Sequence, residues 1–95
     1  MFNTNLAGER FRVLQKKAST EDKENAASLK ITLSDFGGIS QVWYYILTVT
    51  NGFDGIIIGE LSTTGSYGGQ LLVSDIGIKY RKLTGGTYGA WHNLV

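Results

Sequence analysis

The residue types that do chemistry are sparse in this chain, and their spacing limits what they can do. His92 is the only histidine among the 95 residues, and there is no cysteine. A nucleophilic triad needs a histidine beside a nucleophile and an orienting acid. No nucleophile lies in a strained turn near His92. That residue reads either as a base or ligand contact, or as a polar residue on the outer face of a terminal strand. The carboxylates Asp35, Asp54, Glu60 and Asp75 are scattered singly. A glycosidase needs two of them across one cleft, and three of the four sit at turns, where Asp is common for local reasons. No loop carries the three acids a calcium site wants, and one His without a thiolate does not make a zinc site. The stretches GSYGG (65–69) and TGGTYG (84–89) are glycine-rich. Neither has the Lys-Ser/Thr of a phosphate loop or a following helix. The chain is therefore not expected to be an enzyme, and no metal or cofactor is expected.

Aromatic side chains next to polar groups are the remaining chemistry. Tyr67 lies in the loop Ser62–Gly69, and Tyr88 lies beside the turn Thr84–Thr87. An exposed ring among hydroxyls is a surface on which a sugar stacks, and it is equally an ordinary corner-packing residue. Trp43, Tyr44 and Tyr45 fall within a central apolar run and read as core. Trp91, in the terminal run, also reads as core more than as a contact residue. Tyr67, Tyr88, His92 and Arg81 form the candidate contact set.

The elements that position these residues follow from periodicity. Ser34–Gly38 and Asn51–Gly55 are turns. Residues 41–50, QVWYYILTVT, are the strongest strand. Val42, Tyr44 and Ile46 lie on one face, and Trp43, Tyr45, Leu47 and Val49 on the other. A strand apolar on both faces is covered on both sides. In a domain this small the second cover can come from another subunit. Leu29, Ile31 and Leu33 alternate with polar residues and predict a strand. Ile56–Leu61 and Gln70–Ser74 predict two more. Ile76–Leu83 and Tyr88–Val95 form a closing hairpin across a glycine turn. Phe11, Val13 and Gln15 alternate with Arg10, Arg12 and Leu14 as in a strand, while Leu6, Arg10, Val13, Leu14 and Lys17 fit a short helix instead. Ser19–Asp22 resembles a capping box, so 18–28 is either a short helix or a charged, solvated connector. The expectation is an all-β fold, a small antiparallel sandwich or barrel-like domain of five to seven short strands. Twelve of the 13 glycines lie from position 37 onward, which agrees with turn-rich β structure.

The net charge is +1. Residues 1–30 hold six Lys/Arg against four Asp/Glu, and no basic residue occurs between Lys30 and Lys79. A phosphate-tracking surface needs clustered cations, so no nucleic-acid partner is expected. The apolar runs are too short to span a bilayer, and the first residues lack the apolar run of a secretory leader. No membrane insertion is expected.

The run KYRKLTGGTYGAWHNLV (79–95) resembles the C-terminal end of bacteriophage tail-fibre and pyocin-type receptor-binding proteins. The residues that carry the likeness are Tyr80, Arg81, Gly85, Gly86, Tyr88, Trp91 and Leu94. Tyr88 stands where that ending usually has its first Trp. The resemblance implies a virion appendage assembled in the host cytoplasm, usually a homotrimer, whose β tip touches a host-surface glycan or protein. It implies a mainly structural role for the Trp ending, which packs the last strand into the domain. Residues 1–28 would then be an attachment and oligomerisation segment that meets other virion or tail proteins, and 29–95 the β-rich tip domain. Two other readings stay open. One is a purely structural virion component, such as a head decoration or fibre base. The other is a small carbohydrate-binding module.

Overall fold

The computed structural model describes residues 9–95. The first eight residues of the expected attachment segment, with Leu6 of the helical alternative, lie outside the described residues. Seven strands form one open sheet. They are β1 (Phe11–Lys17), β2 (Trp43–Thr50), β3 (Gly55–Leu61), β4 (Gly68–Ser74), β5 (Gly77–Thr84), β6 (Thr87–Tyr88) and β7 (His92–Asn93). Spatial order follows chain order, and β6 and β7 both pair with β5. The all-β class and the strand count agree with the sequence expectation. The layer facing the sheet is a connector, not a second sheet.

That layer follows from one feature of the topology. β1 runs parallel to β2, from Phe11 opposite Tyr44 to Lys17 opposite Thr50, while the other pairs are antiparallel. A parallel pair needs a long crossover connection. Residues 18–42 supply it, and they pass over one face of the sheet. They contain the one-turn helix α1 (Lys23–Ala26) and a 3₁₀ turn, Leu33–Phe36. Asp22 caps α1, its carboxylate accepting from the Asn25 amide at 3.1 Å. Ala26, Ala27, Ile31 and Phe36 from the crossover are buried against Trp43, Tyr45, Leu47, Ile57, Leu61 and Leu72 from the sheet. Phe36 stacks on Trp43 with ring centroids 4.7 Å apart.

Several boundaries differ from the sequence reading. Phe11–Lys17 resolves as a strand, with Leu14 turned to the core and Phe11 and Val13 to the other face. The strand expected at Leu29–Leu33 is absent. Ile31 is buried, but this segment lies across the sheet instead of in it, and side chains take its carbonyls. The helix cap expected at Ser19 is at Asp22. No structural boundary separates 1–28 from 29–95 among the described residues, since β1 belongs to the sheet and Ala26 and Ala27 to the core.

Ion pairs fasten the crossover to the end of the β4–β5 hairpin. Lys23 pairs with Asp75, and Lys79 reaches Glu24 at 3.6 Å. Asp75 also accepts from the Asp54 amide at 2.9 Å. The hydrogen bond from Lys23 holds the Asp75 carboxyl below its ordinary value, and the same bond raises Lys23. A depressed acid contributes stability above its ordinary pKa, and this is lost as pH falls through the depressed one. The raised lysine contributes below its ordinary value, and this is lost as pH rises through the raised one. An Asp75→Asn variant, which keeps an acceptor for the Asp54 amide, is expected to melt slightly lower at neutral pH. Its melting temperature should also fall less on acidification than that of the parent. Both groups are exposed, so the difference is small. Parallel acid limbs in thermal melts would show that the pair contributes nothing.

Candidate functional site

The two faces of the sheet differ in kind. The inner face carries three cross-strand rows. Tyr45, Gly59, Gln70 and Arg81 stand in register across four strands and form the middle row. Gly59 has no side chain, so the Tyr45 ring lies across β3, and its hydroxyl accepts from Gln70 Nε2 at 2.9 Å. Gln70 Oε1 in turn accepts from Arg81 Nε at 2.6 Å. Arg81 Nη2 donates to the carbonyl of Leu29 at 2.7 Å. A line of polar groups therefore crosses an apolar core, and among the described residues no buried side-chain nitrogen or oxygen is left without a hydrogen-bond partner, as burial requires.

The terminal strand closes this site through a bulge. Tyr88 stands opposite Leu83, and His92 opposite Tyr80. The register shifts by one residue between those pairs, so Ala90 and Trp91 both oppose Arg81. Such a bulge bends the strand and re-aims its side chains. In an unbroken strand Tyr88 and Trp91, three apart, would point to opposite faces. Here both rings lie on the Arg81 guanidinium, at 4.2 Å and 4.8 Å from their centroids. The Tyr88 hydroxyl donates to Ile31 O at 3.1 Å, and Trp91 Nε1 to Ser28 Oγ at 3.3 Å. Arg81 is 4% exposed and, among the described residues, has no carboxylate partner. Its charge is balanced by a carbonyl, an amide oxygen and two π faces. Burial lowers its pKa, and burial raises that of Tyr88.

Of the four candidate contact residues, Arg81 and Tyr88 are thus brought together inside the domain. They clamp the crossover to the sheet. Arg81 has no exposed donor to offer a receptor, because its guanidinium is enclosed. His92 and Tyr67 lie outside and do not meet each other. The bulge sends His92 to the outer face, where its ring stacks on Tyr80 at 5.2 Å. Tyr67 is 55% exposed in the β3–β4 loop. That loop is fixed by its own polar groups. Ser62 N donates to Tyr67 O at 2.8 Å, and Tyr67 N to Ser62 Oγ at 3.1 Å. Ser40 Oγ holds Thr63 O at 2.7 Å, and Gly86 N of the closing turn holds Ser66 O at 2.9 Å. Gly85 and Gly86 both have positive φ, 58° and 84°, as a tight hairpin turn of this hand requires. The result is a rigid end surface of Ser, Thr and Gly around one exposed tyrosine.

The outer face is open. Val13, Ile46, Ile58, Leu71, Tyr80 and His92 form one continuous row across it. Ile56, Val73 and Ile78 form part of a second row. Val13 is 70% exposed, Tyr44 45% and Ile58 43%. A third row reads Phe11, Tyr44, Glu60, Gly69 and Lys82. At Gly69 it dips into a shallow groove of about 530 Å³, walled by Tyr44, Ile58, Leu71 and Tyr80. The two-faced apolar pattern of 41–50 pointed to this surface. The Glu60–Gly69–Lys82 juxtaposition did not show in the sequence, because it depends on the register of three strands. Gln70 was also unforeseen, and the one signal for it was a glycine in mid-strand, which marks a close approach.

Among the described residues, no group of three or more His, Cys, Asp or Glu side chains could hold a metal ion. Comparison of the chain with protein-family models, curated proteins and solved structures finds no match.

Proposed function

We propose that this chain is a component of a phage or phage-tail-like appendage, present as three copies as the family resemblance implies. The loop end of its sheet would contact a glycan or protein on the host surface. The observation that carries this reading is the exposed Tyr67 ring on a loop immobilised by hydrogen bonds to Ser40, Ser62 and Gly86. A large ring held in water does nothing for the core. Its rigidity removes the ordering cost of binding, and its flat face and hydroxyl suit a sugar ring or a polar protein surface. His92, stacked on Tyr80, is a secondary contact. Arg81 and Tyr88 act by holding the closing turn that backs the loop. Several copies on one particle convert weak contacts into avidity.

The test is binding of the assembled protein to glycan arrays and to a panel of bacterial cells. Tyr67→Ala is expected to weaken binding about tenfold or more, as loss of an interface aromatic does, with an unchanged melting temperature. Undiminished binding by the folded variant would remove the loop from the site. A structural particle component without a receptor role is the second reading, favoured by the open apolar face. Assembly into particles with no cell binding by the isolated protein would decide for it.

A further inference from the structure

We infer that the open face of the sheet is an interface between copies of this chain, arranged with the strands along the symmetry axis, so that Glu60 of one copy meets Lys82 of another. The inference deepens the proposed function by naming the surface through which its copies join. A sheet buries both faces or turns a polar one to water. This face does neither. Phe11, Val13, Tyr44, Ile58, Val73 and Tyr80 are all exposed on it, in a contiguous array larger than the scattered apolar residues normal for a monomer. Five strands at ~4.8 Å spacing and about five residues at ~3.3 Å give a face of roughly 400 Å² in plan. Two such faces make roughly 800 Å² in plan, and the relief of their side chains raises the accessible area toward the about 1,000 Å² that a specific interface needs.

Charge selects the occupant and the orientation. Glu60 and Lys82 flank Gly69 in one row, on opposite sides of β4. Neither enters an ion pair within the chain among the described residues. Within this row the face is acidic at β3 and basic at β5, which makes the row complementary to itself. An axis parallel to the strands sets the β3 side of one copy against the β5 side of another, and Glu60 meets Lys82. A three-fold ring of such sheets makes this contact at each boundary, and a two-fold pair makes it twice. An axis across the strands would set Glu60 on Glu60, which like charges oppose. The groove at Gly69 leaves room for a side chain of the neighbouring copy.

Sedimentation of the full chain tests this. The parent protein is expected to assemble, and Ile58→Lys is expected to give a monomer with an unchanged far-UV spectrum. Glu60→Lys and Lys82→Glu should each raise the dissociation constant about tenfold or more, and the double variant should return it to within about threefold of the parent. A parent that stays monomeric at high concentration overturns the inference, including the case in which the monomer binds a glycan through the face. Assembly that Ile58→Lys leaves intact also overturns it, and a double variant no tighter than the single ones overturns the Glu60–Lys82 register. A dimer supports the interface and corrects the three-copy count. Loss of receptor binding is read through Tyr67→Ala, in the loop before β4, and assembly is read through Ile58→Lys in mid-sheet, so either reading can fail while the other stands.

Discussion

An Arg81→Ala variant is expected to lose about 3–5 kcal/mol of stability, and with it the closure of the domain. The guanidinium is held by Gln70 Oε1 and Leu29 O. Its removal leaves Gln70 Oε1 buried without a donor, at about 1–3 kcal/mol, and the part-buried Leu29 O without one at a smaller cost. It also opens a void between the Tyr88 and Trp91 rings, which then have nothing to lie on. A domain of this size has about 5–15 kcal/mol in total, so the loss is a large share of it. Arg81→Lys is expected to recover little. Its ammonium is a point donor, without the planar fork that reaches Gln70 and Leu29 at once or the flat face that two rings can sandwich. Denaturant melts with intrinsic tryptophan emission would measure both variants. An Arg81→Ala protein as stable as its parent would show the polar row to be incidental.

The row can also be removed as a unit. Replacing both partners of a buried hydrogen bond with apolar groups of similar shape is often close to neutral. Gln70→Leu combined with Arg81→Met should therefore cost less than the sum of the two single changes. The remaining cost falls on Leu29 O and on the Tyr45 hydroxyl, whose ionisation is already strongly disfavoured by burial. The polar row contributes register as well as energy. Slipping β4 by one residue would bring Gly69 or Leu71 to the place of Gln70 and strand the arginine among apolar side chains.

Those same groups show how far the sequence could be read. Alternation predicted β2 to β5, because each turns one row to the core and period two is visible in Trp43, Tyr45, Leu47 and Val49; it expected one strand over Tyr88–Val95 where β6 and β7 are separate short strands. It mispredicted Leu29–Leu33, where the same alternation buries Ile31 while the carbonyls of Leu29 and Ile31 are taken by Arg81 and Tyr88 in place of a strand neighbour. Local pattern cannot distinguish a segment in a sheet from one lying across it. The candidate set mixed two roles for a related reason. Tyr88, Trp91 and His92 are three, then one, residues apart, and their faces are decided by a bulge that only the pairing with β5 reveals. The solvent-facing role of Tyr67 was legible, since a loop rich in glycine and hydroxyls gives a ring little to pack on.

Gly59→Ala is expected to cost about 2–4 kcal/mol, against a strand's ordinary preference for alanine over glycine. A Cβ there would stand inside the Tyr45 ring, overlapping its far carbons and its hydroxyl. Overpacking of this kind costs about 1–3 kcal/mol by itself. If the ring swings away to relieve it, the bond to Gln70 is lost and an amide donor is left buried. Gly69 is the control. It too lies in mid-strand, one strand over and on the open face, where an added Cβ meets only the Arg81 carbonyl oxygen at 3.8 Å. Gly69→Ala should fall within about 0.5 kcal/mol of the parent in the domain's own stability, because the added Cβ overlaps no atom of the chain. Shortening the ring should couple to the first change and not to the second: Tyr45→Leu is destabilising alone, yet Gly59→Ala should cost little in its background. Equal losses from the two glycine variants, or a double variant that is simply additive, would mean that backbone freedom sets the need for glycine at 59. The expected asymmetry would mean that the ring crossing β3 sets it, and that Gly59 is where the polar row of the core begins.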